Sequence, residues 1–298
     1  MSDDTEEQQQ KNNKPQIFLL TGAPGAGKSY TVNSIMKMAK EMGKTVIGTS
    51  YNGIAAININ GDTLCGLLNH KYQKKGEENK KRKKQDIKLS EIQPFTFEQN
   101  KKFHQNLCLD KLSLLIIDEI STVSPEMLGT LDVRMRQAKD INDIPFGGVP
   151  VLFVGDFSQL PPVMAKGLTY KLLQMIRKKS NSTSSANNCT NEEKYVWQRG
   201  CNVFRQSQWF HLTKQQRSND DLHIELLTKM KKGEDINTDD LSIYNYLSKE
   251  DIQRRDWLNV SFLVSTNCKR CSIIKQIAPQ LAKHNKTHVI CWQSDIKN

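Results

Sequence analysis

Residues Thr21 to Tyr30 read TGAPGAGKSY and directly follow Ile17 to Leu20, an apolar run with the length of a buried strand. From Gly22 to Ser29 the stretch matches the phosphate-loop pattern G-x-x-x-x-G-K-[ST]. In such a loop the glycines let backbone N–H groups close on phosphate oxygens. Lys28 supplies a cation for the outer phosphates, and the hydroxyl of Ser29 is offered to magnesium.

A helix is predicted directly after this loop, because residues Lys28 to Met42 carry apolar side chains at helical spacing. The positive N-terminal end of that helix would face the bound phosphates. The predicted nucleotide contacts are Gly22, Ala23, Gly25, Ala26, Gly27, Lys28, Ser29 and Tyr30.

Length and charge narrow the class of protein. The chain has 298 residues, of which 37% are hydrophobic, and this is enough for a substantial core. No apolar run approaches the roughly 18 residues of a membrane span, and the polar residues 1–14 predict a disordered start rather than a secretion signal. A net charge of +11 favours a polyanionic partner, with a solvated basic surface as the alternative. We therefore expect a protein that is neither membrane-bound nor secreted.

A second apolar stretch ends in two acids. Residues Leu112 to Ile117 have the continuous apolar character of a strand buried on both faces of a parallel sheet. Asp118 and Glu119 follow at the carboxyl end, where such sheets bind ligands. There Asp118 would hold magnesium through water and Glu119 would polarise the attacking water. An exposed acidic turn is the alternative.

A third apolar strand is predicted at residues 149–154 and leads into the turn GDFSQLPPV, Gly155 to Val163. Asp156 and Gln159 therefore fall at the same sheet edge as the phosphate loop, which makes Gln159 a candidate γ-phosphate sensor. The alternation of strands with helices predicts an α/β fold, a parallel sheet flanked by helices.

Two polar segments interrupt this alternation. Residues 71–88 carry nine Lys or Arg, including KKRKK at Lys80 to Lys84. This basic insertion is interpreted as a nucleic-acid contact, a nuclear import signal or a solvated loop. Residues 180–191 are rich in Ser and Asn and predict a surface loop.

With these motifs in this order and spacing, the chain from Gln16 to Asn285 resembles the Pif-type (petite integration frequency) DNA helicases, superfamily-one enzymes that move 5′ to 3′ on single strands. The most specific segments are DEIS at Asp118 to Ser121, LDVRMR before PFGG, GDFSQLPPV, and LTKQQRS. The resemblance implies a RecA-like P-loop NTPase fold, ATP and Mg²⁺ as cofactors, and single-stranded or forked DNA as partner.

The resemblance also assigns roles to individual residues. It implies phosphate and magnesium contacts for Lys28 and Ser29, magnesium and water activation for Asp118 and Glu119, and γ-phosphate sensing for Gln159. Arg217 resembles the arginine that reaches the nucleotide across the domain cleft, and Gln16 takes the position of a glutamine that reads adenine. The implied catalytic residues are Lys28, Glu119, Gln159 and Arg217.

Two departures from the family pattern lie where such helicases contact DNA. The segment that usually reads APTGIAA is SYNGIAA at Ser50 to Ala56, and the usual T-x-H is TLC at Thr63 to Cys65. Asn52, Gly53 and Thr63 remain the candidate contacts to DNA phosphate and sugar.

The C-terminal part departs further, because the family's HKSQG and VALSR segments do not occur. We expect a RecA-like ATPase domain at residues 15–215 and a partial second helicase domain at residues 216–298. The chain is then a fragment of a longer helicase or a truncated relative, and a partner chain that supplies the rest is a further alternative.

The expected function is that of an ATP-dependent DNA helicase, or its motor portion, in DNA repair, recombination, or replication and telomere maintenance. The alternative is an ATP- and DNA-binding protein without unwinding activity. KKRKK favours a nuclear location if the source is eukaryotic, and a cytoplasmic or viral one otherwise.

A competing metal site lies near the C-terminus. Cys268, Cys271, His284 and His288 have the spacing C-x2-C-x12-H-x3-H of a zinc finger. However, residues 260–265 read as a buried strand that leads into a helix at residues 273–282, and the position of an expected core aromatic is occupied by Lys275. The sequence therefore favours the start of the second domain over a zinc site.

Overall fold

A six-stranded, all-parallel sheet organises the protein. The computed structural model describes residues 16–68, 96–180, 191–245, 248 and 260–290. The strand order is β3-β2-β4-β5-β1-β6, so β1, which precedes the phosphate loop, lies between β5 and β6. The predicted α/β fold is confirmed.

The elements alternate along the chain as strand and helix. The strands are β1 (Ile17–Gly22), β2 (Thr45–Ser50), β3 (Asp62–Thr63), β4 (Leu112–Asp118), β5 (Val151–Gly155) and β6 (Gln208–Leu212). The helices within the described residues are α1 (Lys28–Glu41), α2 (Gly53–Asn58), α3 (Leu64–Leu67), α4 (Phe97–Leu107), α5 (Pro125–Lys139), α6 (Leu168–Ser180), α7 (Asn191–Arg205), α8 (Asp221–Lys232) and α9 (Asn267–His284).

Successive residues of the central strands enter two different cores. In β4, Leu115 and Ile117 belong to the larger core, whereas Ile116 packs on the opposite face with Val32 of α1. This follows from the two-residue period of a strand, and it explains why β4 is continuously apolar from Leu114 to Ile117. The sheet is thus covered on both faces.

Side-chain caps fix where several helices begin. At α4, the Thr96 hydroxyl accepts a hydrogen bond from Gln99 N at 3.3 Å, and Gln99 Oε1 accepts one from Thr96 N at 3.0 Å, a reciprocal capping box. At α5, Ser124 caps the first turn and Pro125 occupies the first helical position, where its missing N–H is not needed.

A buried ion cluster joins α5 to α7. Asp132 is fully buried, and its carboxylate accepts hydrogen bonds from Arg136 at 3.0 Å and from Arg199 of α7 at 2.5 Å. The same carboxylate accepts a 2.6 Å bond from the backbone N–H of Phe146 in the PFGG turn. The LDVRMR and PFGG segments therefore meet at one carboxylate.

The chain divides into two compact units, residues 1–234 and 235–298. The first unit extends past the domain end that we predict at residue 215, because Gln216 N donates to Gly25 O and Lys231 forms an ion pair with Asp156. The functional domain boundary itself stays a prediction.

In the second unit, α9 covers the helix predicted at residues 273–282 and extends beyond both of its ends. The strand predicted at residues 260–265 is wrong, since these residues have no regular secondary structure. A strand needs a neighbour to satisfy its backbone groups, and an apolar run alone does not provide one. Within the described part of the chain, no helix is both long and apolar enough to cross a membrane.

Candidate nucleotide site

Strand register brings the predicted site residues to one edge of the sheet. Thr21 lies opposite Gly155 at the ends of β1 and β5, and Ser50 lies opposite both Asp118 and Thr63. The carboxyl ends of five strands therefore face the same side, which is where parallel sheets bind ligands.

The phosphate loop connects β1 to α1 as predicted. Gly27 is the N-cap residue of α1 with φ 96°, and α1 begins at Lys28. The Lys28 ammonium donates to the carbonyl oxygens of Gly22 at 2.7 Å and Ala23 at 3.2 Å, so it lies folded back over the loop. The positive N-terminal end of α1 and the Lys28 ammonium therefore both lie at the phosphate loop.

Three carboxylates surround Lys28. Burial lowers the pKa of Lys28, and the negative charges of Asp156, Glu119 and Asp118 oppose that shift. These side chains come from the ends of β4 and β5. The structure therefore brings the two predicted acids and the predicted lysine together.

Asp118 and Glu119 share a strained turn. Glu119 has φ 53° and ψ 45°, a left-handed conformation, and its backbone N–H donates to Asp118 Oδ1 at 2.8 Å. Burial raises the pKa of both carboxyls, and the charge of Asp118 raises that of Glu119 further. The charge of Lys28 lowers both and compensates in part.

Gln159 lies on the turn after β5 and is exposed. Its backbone N–H donates to the carbonyl of Asp156 at 3.1 Å, and Asp156 Oδ1 accepts a 3.0 Å bond from Ser158 N. Burial raises the pKa of Asp156, but the Ser158 hydrogen bonds and the charges of Lys231 and Lys28 lower it overall. A buried carboxylate therefore organises the turn that carries Gln159.

The segment after β6 lies on the phosphate loop. Gln215 Nε2 donates to Pro24 O at 2.8 Å, and Gln216 N donates to Gly25 O at 2.9 Å. A Cβ placed on Gly25 would lie 2.8 Å from the Cβ of Arg217, so the backbone of this exposed arginine is beside the loop. Arg217 thus belongs to the same site as Lys28.

The donor set for magnesium is small and consists of hard oxygens. Asp118 is half-buried beside Lys28, and Ser29 is the first-turn hydroxyl of α1. Within the described residues no group of three or more His, Cys, Asp or Glu could hold a metal alone. The carboxylate of Asp118 and the hydroxyl of Ser29 are of the kind that Mg²⁺ prefers, since this ion binds through one or two protein oxygens together with nucleotide phosphates.

The candidate DNA contacts lie along the same edge, at the start of α2 after β2 and at the end of β3. Asn52 is exposed and caps α2, with Oδ1 accepting from Ile54 N at 3.0 Å. Gly53 begins that helix, and Thr63 caps α3 by accepting from Gly66 N at 3.1 Å. The structure brings the three residues together, and their DNA contacts stay a prediction.

Gln16 does not join this site. It directly precedes β1, and its carbonyl accepts a bond from Val151 N at the amino end of β5. The six residues of β1 separate it from the phosphate loop, about 20 Å at 3.3 Å per residue. Gln16 therefore lies at the opposite end of β1 from the phosphate loop, and its role as the adenine-reading glutamine stays a prediction. Tyr30 is on α1 and 79% exposed.

The zinc-finger pattern falls on one helix. Cys268, Cys271 and His284 all lie on α9, and His288 follows it. Cys268 and His284 are sixteen positions apart on this helix, about 24 Å at 1.5 Å per residue. This conformation cannot bring the four side chains to one ion.

Three predicted segments lie outside the described residues. They are the N-terminal residues 1–14, the basic insertion 71–88 with KKRKK, and, apart from its end residues Ser180 and Asn191, the Ser/Asn-rich segment 180–191.

The fold and this edge define a RecA-like P-loop nucleotide-binding protein. A family model described as PIF1-like helicase matches residues 5–240. The chain belongs to this PIF1-like helicase family, as its motifs predict.

Known relatives agree with this assignment. The chain is 33% identical over 148 residues to the ATP-dependent DNA helicase Pif1 of a Psychrobacter species, covering 50% of this chain and 20% of the relative. It is 32% identical over 148 residues to PIF1 of Saccharomyces cerevisiae, covering 49% of this chain and 15% of the relative. The matched part is thus a small share of these helicases.

Solved structures show the same fold. Unliganded Pif1 from Bacteroides superposes with a TM-score of 0.54 at 23% identity, covering 92% of this chain and 55% of that one. Bacteroides Pif1 bound to ssDNA superposes with a TM-score of 0.50 at 25% identity, covering 81% and 48%.

Proposed function

We propose that this chain carries the ATP-hydrolysing site of a DNA helicase that couples Mg-ATP hydrolysis to 5′-to-3′ movement on single-stranded DNA. The observation that carries the proposal is the cluster of Lys28, Asp118 and Glu119 at the sheet edge, with Gln215 and Gln216 bonded to the phosphate loop. The membership of the chain in the PIF1-like family supports the reaction class.

Each residue has a chemical task in this proposal. Phosphate oxygens compete with the Gly22 and Ala23 carbonyls for the Lys28 ammonium. Glu119 accepts a proton from, or orients, the attacking water. Gln159 contacts the γ-phosphate, and Arg217 neutralises charge that develops on the transferred group.

Ser29 and Asp118 would hold magnesium, which when bound neutralises phosphate charge. Because the pKa of Asp118 is raised by burial, a nearby cation favours its ionised form and makes the carboxylate a better ligand.

The proposed DNA path runs over Asn52, Gly53 and Thr63. These residues lie at the ends of β2 and β3, next to β4, which carries Asp118. The family names and the complex of Bacteroides Pif1 with ssDNA support single-stranded DNA as the partner. The proposal also includes forked DNA as a partner, a nuclear location, and roles in repair, recombination or telomere maintenance.

ATP turnover with and without single-stranded DNA tests the proposal. We expect turnover that rises with added strand, and an Asn52→Asp variant in which that rise is weakened about tenfold, because the aspartate still caps α2 but repels phosphate. Asn58→Asp, with the same charge change at the end of α2, is the control and should behave as wild type.

Forked-duplex opening then separates the two functional alternatives. Strand separation with ATP supports the helicase. ATP and DNA binding with turnover that the strand does not stimulate would contradict it in favour of a nucleotide-dependent DNA-binding protein.

A further inference from the structure

A second lysine approaches the phosphate site from α8. The side chain of Lys231 is 38% exposed, and its Nζ lies 3.6 Å from Asp156 Oδ1. The positive charge of Lys231 also lowers the pKa of Lys28, as expected for two nearby cations. None of the sequence motifs includes Lys231.

The partner of this lysine, Asp156, is a buried carboxylate. The residue is 2% exposed, and its Oδ2 is buried without a hydrogen-bond partner among the described residues. A buried carboxylate needs a counter-charge, since an uncompensated buried charge costs several kcal/mol. Lys231 is the cation that forms an ion pair with it.

Asp156 in turn sets the position of Gln159. Its Oδ1 accepts from Ser158 N, and its carbonyl accepts from Gln159 N at 3.1 Å. One residue therefore holds both ends of this contact: the Asp156 carboxylate, whose charge Lys231 of α8 balances, binds Ser158, and the Asp156 backbone carbonyl binds Gln159. Gln159 is exposed and depends on this turn for its position.

We propose that Lys231 is a positioning residue that, through Asp156, holds the Gln159 turn in the geometry that distinguishes ATP from ADP. The inference rests on the proposed function, in which Gln159 contacts the γ-phosphate. Lys231 itself does not touch the nucleotide in this scheme.

Nucleotide affinity, measured by titration calorimetry with magnesium, tests the inference without requiring turnover. The probes are ADP and adenylyl imidodiphosphate, a non-hydrolysable ATP analogue. In Lys231→Met we expect the preference for the analogue over ADP to fall about tenfold, the size of one misplaced hydrogen bond to a charged group. The affinity for ADP should stay unchanged.

A double-mutant cycle with Gln159 identifies the route of the effect. Gln159→Ala should lose the same preference, and Lys231→Met should add nothing in that background, because both act on one contact. Lys231→Arg keeps the charge and should restore the preference to within about twofold. Lys232→Met, which removes the neighbouring surface partner of Glu234, is the control and should match wild type.

Several results would overturn the inference. In Lys231→Met, they are an unchanged preference for the ATP analogue over ADP, or a loss of ADP affinity equal to the loss of analogue affinity. In the Gln159→Ala background, the result would be a further loss of that preference when Lys231→Met is added. A wild-type chain that binds ADP and the analogue equally well would overturn the inference too. If Lys231→Met does not fold, Lys231→Gln, which keeps a donor for Asp156, takes its place. A wild-type chain that binds both nucleotides but lacks turnover would contradict the proposed function and not this inference.

Discussion

Glu119 shows how one residue combines strain with chemistry. A non-glycine residue in the left-handed region costs about 1–3 kcal/mol and persists only where neighbours hold it. Here the Thr122 hydroxyl donates to the Glu119 carbonyl at 2.7 Å, and Asp118 accepts from the Glu119 N–H. Its carboxyl is also partly desolvated beside Asp118. The residue is therefore held by its neighbours in an unfavourable conformation, at the position where the proposed function needs a group that activates water.

Glu119→Gln should lower the turnover number of ATP hydrolysis by about 10²–10⁴-fold, because the proton acceptor is removed. Without nucleotide, the variant should unfold at a higher temperature than wild type at pH 7. The folded pKa of Glu119 is raised, so ionisation at neutral pH destabilises the folded state, and the amide removes that cost.

The stability gain of Glu119→Gln should fade as the pH falls through the raised folded pKa of Glu119 towards its ordinary value of 4.5, because the wild-type carboxyl then becomes neutral as well. Glu41→Gln, at the exposed end of α1, is the control for calorimetric unfolding. A gain that does not change with pH would contradict this account.

Gly25→Ala should release residues 215–217 from the phosphate loop. Gly25 has φ +85°, and a Cβ there would overlap Gln215 Oε1 and press on Arg217. Gly43 has φ +67° with nothing within 4 Å, so Gly43→Ala tests backbone strain alone, about 1–2 kcal/mol in urea unfolding. We expect Gly25→Ala to cost more and to weaken ATP binding about tenfold. Equal costs for both variants would rule out the contact.

At the scale of elements, α5 and α7 are joined by polar as well as apolar contacts. Asp132 accepts from Arg136 within α5, from Arg199 of α7 and from the Phe146 backbone. Helix packing alone leaves rotation and sliding partly free, whereas a shared carboxylate fixes both. The PFGG turn, which precedes β5, is held by the same group.

Asp132→Ala should destabilise the protein by about 3–5 kcal/mol, because it removes the buried carboxylate to which two arginine side chains donate hydrogen bonds. Chemical denaturation measures this change. Asp143→Asn removes a carboxylate of the same type from an exposed loop position and should change stability by less than about 0.5 kcal/mol. A small cost for Asp132→Ala would mean that the apolar contacts suffice.

At the scale of the whole molecule, two features bear on DNA binding: the net charge, and the share of the related helicases that this chain covers. The chain carries a net charge of +11 and corresponds to about half of the Bacteroides Pif1 chain. A basic protein attracts single-stranded DNA largely through its phosphates, whatever the base sequence.

Affinity for single-stranded DNA should therefore fall steeply with salt. With about four phosphate contacts, raising the salt from 50 to 200 mM weakens binding roughly fifty-fold. Fluorescence anisotropy with a labelled oligonucleotide measures the slope, and random-sequence strands serve as the control. Binding that does not respond to salt would contradict a phosphate-dominated interface.

Local sequence patterns predicted most of the candidate nucleotide site. The loop around Lys28 and the acids after β4 are contiguous motifs, so their residue types and spacing are sufficient to identify them. The wrong prediction has a physical cause. Residues 260–265 look like a strand in sequence, but a strand also needs a sheet partner, which an apolar run does not supply.

Residues close together in the chain were enough to determine the phosphate loop and the strands β1, β4 and β5, because each of these depends on a few neighbouring positions. Tertiary packing was needed to bring Lys231 to Asp156, to bond Gln215 to the phosphate loop, and to join α5 to α7 through Asp132. The strand order β3-β2-β4-β5-β1-β6 brings these distant residues together. The two-residue period of a strand shows which of its side chains share a face of the sheet, but it does not show which strands lie beside it.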